Sequence, residues 1–213
     1  MLKKILKIFK DLIFKKHKYT QNSKEVKVLK KICALKKINS SGTYFSMPYN
    51  DYYKDLIYEL KYKKCIYVAK IIADLIKKDI DLLFEIEKID NILITPISQK
   101  RLRERGFNQV SEILDNLHLP YLEIKKIKDT LKMSKLNFDY EKRLNILNSF
   151  NVKGLNLDNK NVLIFDDIIT SGATVNEIKK QLKKEYKNIK INIYGIAISN
   201  QYIRKGDKKW NKN

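Results

Sequence analysis

Cysteine is nearly absent: the 213-residue chain holds only Cys33 and Cys65. They lie far apart and lack C-x-x-C spacing, so neither a disulfide framework nor a structural zinc site is expected. No apolar run approaches the length needed to span a bilayer. The first residues do not have the form of a secretory signal, because lysines interrupt every apolar stretch and no small-residue cleavage site follows. A cytoplasmic location is the resulting expectation. No internal repeat is visible. Acidic residues are also scarce, with 24 Asp and Glu against 45 Lys and Arg, a net charge of +21. A field of that sign attracts polyanions: nucleic acid, anionic lipid or a pyrophosphorylated substrate. A solvated lysine-rich surface is the plainer account. An apolar content of 44% supports a real core, and the length suits one domain plus an appendage.

The organising stretch is Val162–Thr174, VLIFDDIITSGAT. Val162 to Phe165 suit a strand covered on both faces, as in a parallel sheet. Asp166 and Asp167 follow where that strand is expected to end, and ligands gather at the carboxyl ends of such strands. Thr170, Ser171, Gly172, Ala173 and Thr174 form a turn of small and hydroxylated residues. Val175, Ile178 and Leu182 then recur at helical spacing. A turn that opens a helix aims backbone N–H groups outward, and the helix dipole adds positive charge there. Gly172 lets backbone approach a ligand. The combination is a socket for a phosphate monoester. Two carboxylates would repel that phosphate, but they suit the two hydroxyls of a ribose, or a divalent metal.

Upstream, Met1–Lys18 carries Leu2, Ile5, Leu6, Phe9, Leu12 and Ile13 at helical spacing, with lysines on the other face. Such a helix could lie on an anionic membrane or along DNA, or dock on its own domain. Residues 1–48 are expected to form a basic N-terminal appendage, with Tyr19–Ser46 a linker holding a short strand or helix, and 49–213 the main domain. Tyr49–Lys78 has the stripes of two helices joined at LKYKK, where Lys61, Lys63 and Lys64 could track phosphates. Ile92–Thr95 suits a strand. It is followed by a cationic loop with Lys100, Arg101, Arg103 and Arg105. Guanidinium forks fit phosphate oxygens, so this loop could hold a pyrophosphate. Gly106 suits a turn and Phe107–Leu117 a helix. Tyr121–Ile127, Phe150–Val152 and Lys190–Ile198 are further expected strands, with Gly195 at a close approach. Lys128–Leu147 has no clear period and suits a functional lid or a partly ordered loop.

The order of hydrophobic strand, two acids, two apolar residues and T-[ST]-G-x-T resembles the 5-phosphoribosyl 1-pyrophosphate (PRPP) motif of type I phosphoribosyltransferases. TPISQKRLRERGFNQ resembles the R-x-R-x-R-G-F-N-Q signature of ComF-type competence proteins. Leu136, Arg143, Asn145 or Asn148, and Phe150 fit that family's intervening segment, with Met133 where a Gln is usual. The usual four-Cys zinc module is missing, and the lysine-rich segment stands in its place. The resemblance implies a type I phosphoribosyltransferase fold, α/β, with a Rossmann-like mostly parallel sheet flanked by helices. It implies PRPP with Mg²⁺, Asp166 and Asp167 being the catalytic and metal-contacting acids. Thr170–Thr174 would hold the 5′-phosphate. Lys100, Arg101 and Arg105 would reach the pyrophosphate. Arg103, Lys61, Lys63, Lys64 and Arg143 would contact single-stranded DNA. It further implies a part in natural transformation, beside a helicase-like partner. A metabolic phosphoribosyltransferase with an unknown base or amine acceptor explains the PRPP motif equally well but not the charge. A phosphate-binding relic without turnover is the third reading.

Overall fold

In the computed structural model, residues 18–38, 42–127, 141, 144 and 146–204 are described. The expected amphipathic helix of Met1–Lys18 apart from Lys18 itself, most of the expected lid and Arg143 therefore lie outside the described residues.

The core is a six-stranded sheet in the order β1-β2-β8-β7-β3-β4. Its strands are β1 (Lys36–Ile38), β2 (Thr43–Pro48), β3 (Asn91–Ile94), β4 (Leu122–Glu123), β7 (Asn161–Ile169) and β8 (Lys190–Ile198). Only β1 against β2 is antiparallel; β2, β8, β7, β3 and β4 all run parallel. β5 (Lys125–Lys126) and β6 (Phe150–Asn151) pair as a separate antiparallel ribbon. The expected α/β class, with a mostly parallel sheet flanked by helices, is borne out. β1 and β2, with the helix α1 (Lys24–Ile32), arise from the stretch expected to be mostly linker.

Alternating residues of β7 feed two cores, which is why its apolar run is unbroken. Leu163 and Phe165 face one side, where Leu56 and Leu60 of α2 (Asp51–Lys63), Ile72 and Ile76 of α3 (Tyr67–Glu87) and Val110 of α5 (Gln109–Asn116) pack. Val162 and Ile164 face the other, against Ile178 and Leu182 of α6 (Ala173–Glu185). No described helix is long and apolar enough to cross a membrane.

Three departures from the expected elements matter. β7 does not stop before the acids but runs on to Ile169, because β8 continues beside it and pairs Asp166 with Gly195 and Ile168 with Ala197. The cationic stretch is not a loop but a short helix, α4 (Gln99–Arg105), capped by the Ser98 hydroxyl accepting from Arg101 N at 3.3 Å and closed by Gly106 at φ 91°. The strand expected over Tyr121–Ile127 is split at the buried Ile124 into β4, which joins the sheet, and β5, which pairs with β6.

At the opposite end of the sheet from the acids, Glu87 ties four elements together. Its carboxylate accepts from the Tyr44 hydroxyl of β2, and from Lys190 at 2.9 Å and Lys37 at 3.3 Å. The Tyr44 hydroxyl, then Lys190 and Lys37, outweigh burial and hold the Glu87 carboxyl at about 2, below its usual 4.5. A lowered folded-state pKa gives stability that is present above the unfolded value and is lost as pH falls through the folded one. Glu87→Gln should therefore cost about 1–2 kcal/mol in urea unfolding at pH 7, the two lysines being partly exposed. That difference should shrink as pH falls from 4.5 toward about 2. A gap independent of pH would mean that packing, not charge, explains the loss.

Candidate functional site

The carboxyl ends of β7 and β3 open into a cavity of about 170 Å³. Its walls carry Asp166 and Asp167 from β7, Thr95 after β3, and Arg101 and Arg105 from α4. Gln109 from α5, Lys61 from α2, Lys126 from β5, and Thr170 and Thr174 from the turn before and at α6 complete the charged and polar lining. A smaller hollow beside it is lined by Ile169, Ser171, Gly172, Ala173 and Val175, and shares Asp166, Ile168, Thr170 and Thr174 with the larger one. The two are thus one continuous site with acids on one wall and cations on another.

The turn is built to stay open. Gly172 has φ 74°, the left-handed region, and a Cβ there would land on the Tyr202 ring. The Ser199 hydroxyl donates to Thr170 O at 2.6 Å, which pins the turn to the segment after β8. α6 starts at Ala173, so its first N–H groups have no intrahelical carbonyl; Ala173 N donates to the Ser171 hydroxyl at 3.4 Å, and Ala173, Thr174 and Val175 line the hollow. Gly195 leaves room for the Ile169 side chain at the end of β7: a Cβ on it would meet Ile169 Cγ1 at 2.6 Å.

The two acids are not equivalent. Asp167 is buried, and Lys61 forms an ion pair with its Oδ2. Gln109 donates to its Oδ1 at 3.5 Å. Asp166 Oδ1 accepts from the Thr95 hydroxyl at 2.7 Å and from Asp167 N at 2.9 Å. Burial, and then the neighbouring Asp167 charge, push the Asp166 carboxyl well above the usual carboxylate range. Burial pushes Asp167 up as well, but the Lys61 ammonium outweighs it and holds that carboxyl below its usual value. The buried Asp167 is thus compensated by a lysine, while the half-buried Asp166 is held by hydrogen bonds and its carboxyl is shifted upward.

The expected residues divide. Arg101 and Arg105 line the cavity with the acids, Thr170 and Thr174, while Lys100 lies outside its lining and is exposed. Arg103, Lys63 and Lys64 are exposed on the outer face. Lys61 differs from expectation: it turns away from Lys63 and Lys64 and into the cavity, because it follows Ile57 by one helical turn at the edge of the buried stripe. Gln109 was visible in the RGFNQ signature but unassigned. Thr95, at the strand end before Pro96, was unassigned too. Asn108 caps α5 by accepting from Val110 N at 3.0 Å and donates to Thr95 O at 3.2 Å, so this signature fastens α4 and α5 to the end of β3.

A lone buried carboxylate is costly, so Lys61 is the counter-charge on which Asp167 depends. Lys61→Met should destabilise the fold by about 3 kcal/mol. Lys61→Met combined with Asp167→Asn should recover most of that loss in denaturant unfolding. Equal and additive losses in the cycle would show that the two groups do not couple.

The sequence comparisons bear out the resemblance to ComF-type competence proteins. The chain is 28% identical over 136 residues to competence protein ComFC of Streptococcus pneumoniae, covering 64% of this chain and 59% of that protein. It is 27% identical over 153 residues to competence protein F of Haemophilus influenzae, covering 67% of this chain and 66% of that one. A third or more of each relative's length thus lies beyond the match. No protein-family model matches the chain. Among solved structures, the chain is similar to adenine phosphoribosyltransferase of Saccharomyces cerevisiae, with a TM-score of 0.44 and 17% identity over 87% of this chain and 93% of that one. It is also similar to a second adenine phosphoribosyltransferase, with a TM-score of 0.45 and 18% identity over 87% of this chain and 94% of that one.

Proposed function

We propose that this chain binds PRPP at the carboxyl ends of β7 and β3 and handles single-stranded DNA in natural transformation, in the cytoplasm and beside a helicase-like partner. The competence proteins to which it is similar support the setting. The observation that carries the ligand is the juxtaposition in one cavity of Asp166 and Asp167 with Arg101, Arg105 and Thr170–Thr174. The open turn takes the 5′-phosphate, since N–H groups and hydroxyls converge there. The acids accept from the ribose hydroxyls, and Arg101 and Arg105 take the pyrophosphate.

Mg²⁺ is the expected companion of that ligand. It binds through one or two carboxylates plus substrate phosphates rather than in an all-protein cage. Asp166 and Asp167 fit it on those terms only, because Lys61 and Thr95 already engage one oxygen each. The ion would screen the pyrophosphate charge, and the ligand's own oxygens would complete its shell.

Binding of a ligand to the native state alone raises apparent stability. PRPP with Mg²⁺ should raise the melting temperature of the wild type, and Asp166→Asn with Asp167→Asn should abolish the increase. These replacements keep the side-chain size. An unchanged increase in that double variant would reject the assignment of the acids.

For DNA, Arg103, Lys63 and Lys64 supply exposed cations on α4 and at the end of α2. With about five phosphate contacts, the logarithm of affinity should fall with the logarithm of salt at a slope of roughly −3.5. Fluorescence anisotropy of a labelled single strand across a salt series measures it. A flat response would favour a metabolic phosphoribosyltransferase.

A further inference from the structure

The outer face of α2 carries a feature that the cavity does not use. Tyr58 and Tyr62 are one helical turn apart, with ring centroids 5.0 Å from each other and planes tilted by 40°. They are 48% and 56% exposed, whereas Tyr53 on the same helix is wholly buried. Contact between the two rings adds only a few tenths of a kcal/mol to a helix and does not require them to face water. The Arg105 guanidinium stands 5.6 Å from the Tyr62 centroid, within range of a cation–π contact. The same Arg105 donates to Gln109 Oε1 at 2.6 Å and lines the acid-bearing cavity. Two exposed rings and a guanidinium thus make a continuous track that ends at the cavity mouth. Lys63 lies exposed beside the rings on the same helix.

Neighbouring exposed rings flanked by cations match one kind of partner closely. Single-stranded nucleic acid offers flat bases to the rings and phosphates to the cations, and every base has a π face. An acidic protein segment would use the cations but has no regular supply of flat groups for the rings.

We propose that Tyr58 and Tyr62 form a base-stacking platform for single-stranded DNA, with the strand running along α2 toward Arg105 and the cavity. This rests on the single-stranded DNA reading above and assigns the residues that do the stacking. Stacking carries no net charge. It therefore contributes affinity without changing the salt slope, whereas phosphate contacts change both.

The test uses the full chain with two labelled strands of equal length, oligothymidylate and an abasic strand with the same phosphates but no bases. The wild type should bind oligothymidylate more tightly. Tyr58→Ala with Tyr62→Ala should weaken oligothymidylate binding by about tenfold, leave abasic binding unchanged and keep the salt slope. Tyr58→Phe with Tyr62→Phe should retain wild-type affinity for both strands, since the rings remain; it also controls for altered folding. Lys63→Ala with Lys64→Ala should weaken both strands and flatten the slope. If the Ala pair binds oligothymidylate as tightly as a wild type that does bind it, the platform is wrong and the DNA reading stands. An equal loss on both strands would likewise reject stacking. A wild type that binds neither strand at low salt overturns the DNA reading itself, and the platform with it.

Discussion

Two adjacent carboxyl groups at the end of a central strand set the main physical constraint on this structure. Asp167 is buried and Asp166 half-buried among the elements around β7, and two carboxylates so close together and so poorly hydrated need compensation. The structure solves this asymmetrically. Lys61 reaches over from α2 to Asp167, while Asp166 accepts from Thr95 and is pushed toward its protonated form by burial and by its neighbour. This solution dictates where other elements can lie. α2 must cross the carboxyl edge of the sheet closely enough for a lysine to reach, and β3 must end level with β7 so that Thr95 meets Asp166. The Tyr53 hydroxyl, donating to Asp167 O at 3.3 Å, holds α2 to the same strand by a second bond.

The two short helices α4 and α5 are placed by local chemistry rather than by a large buried face. α4 buries none of its residues. It is held by the Ser98 cap at its start, by the left-handed Gly106 at its end and by Asn108, which bonds both to α5 and back to β3. Arg105 then projects into the cavity from the last turn of α4, where a cation also complements the helix dipole. The RGFNQ signature is thus a helix stop, a turn and a helix start, with the charged Arg105 on one side of the join and the neutral amide of Gln109 on the other, both facing the acids.

Much of this was legible in the sequence, and the misses have physical causes. The acids, the turn and the start of α6 follow from residue type and order over one short stretch. The real length of β7 does not. It depends on the ladder that β8 offers beside Asp166 and Ile168, and that ladder belongs to a distant part of the chain. The strands of the N-terminal stretch were obscured in the same way, since β2 is defined by pairing with β8. Lys61 was grouped with Lys63 and Lys64 by composition. Its position one turn beyond the buried Ile57, next to buried Leu60, was the signal that it lies at the border of the apolar face. Ser98 and Gly106 likewise bracket α4 as a helix, a pattern the density of charge concealed.

The helix α2 shows how one element can serve an inner and an outer surface without conflict. Its buried stripe of Tyr53, Leu56, Ile57 and Leu60 fixes its rotation against the sheet. Once that rotation is fixed, helical geometry leaves no freedom about what the other residues face. Lys61 falls at the stripe's edge and its charge is taken up by Asp167, so it adds little to the field outside. Tyr58, Tyr62, Lys63 and Lys64 fall outward and remain exposed. The positive charge that a distant polyanion meets therefore comes from groups the cavity does not neutralise. Arg105 joins the two surfaces, with one side of its guanidinium toward Gln109 and the cavity and its plane near the Tyr62 ring. A charge arriving in the cavity would act on Arg105 directly, and any resulting shift of that guanidinium would be felt at Tyr62 because the two are in contact. Binding at one surface that displaced Arg105 would, by linkage, change affinity at the other by the same factor.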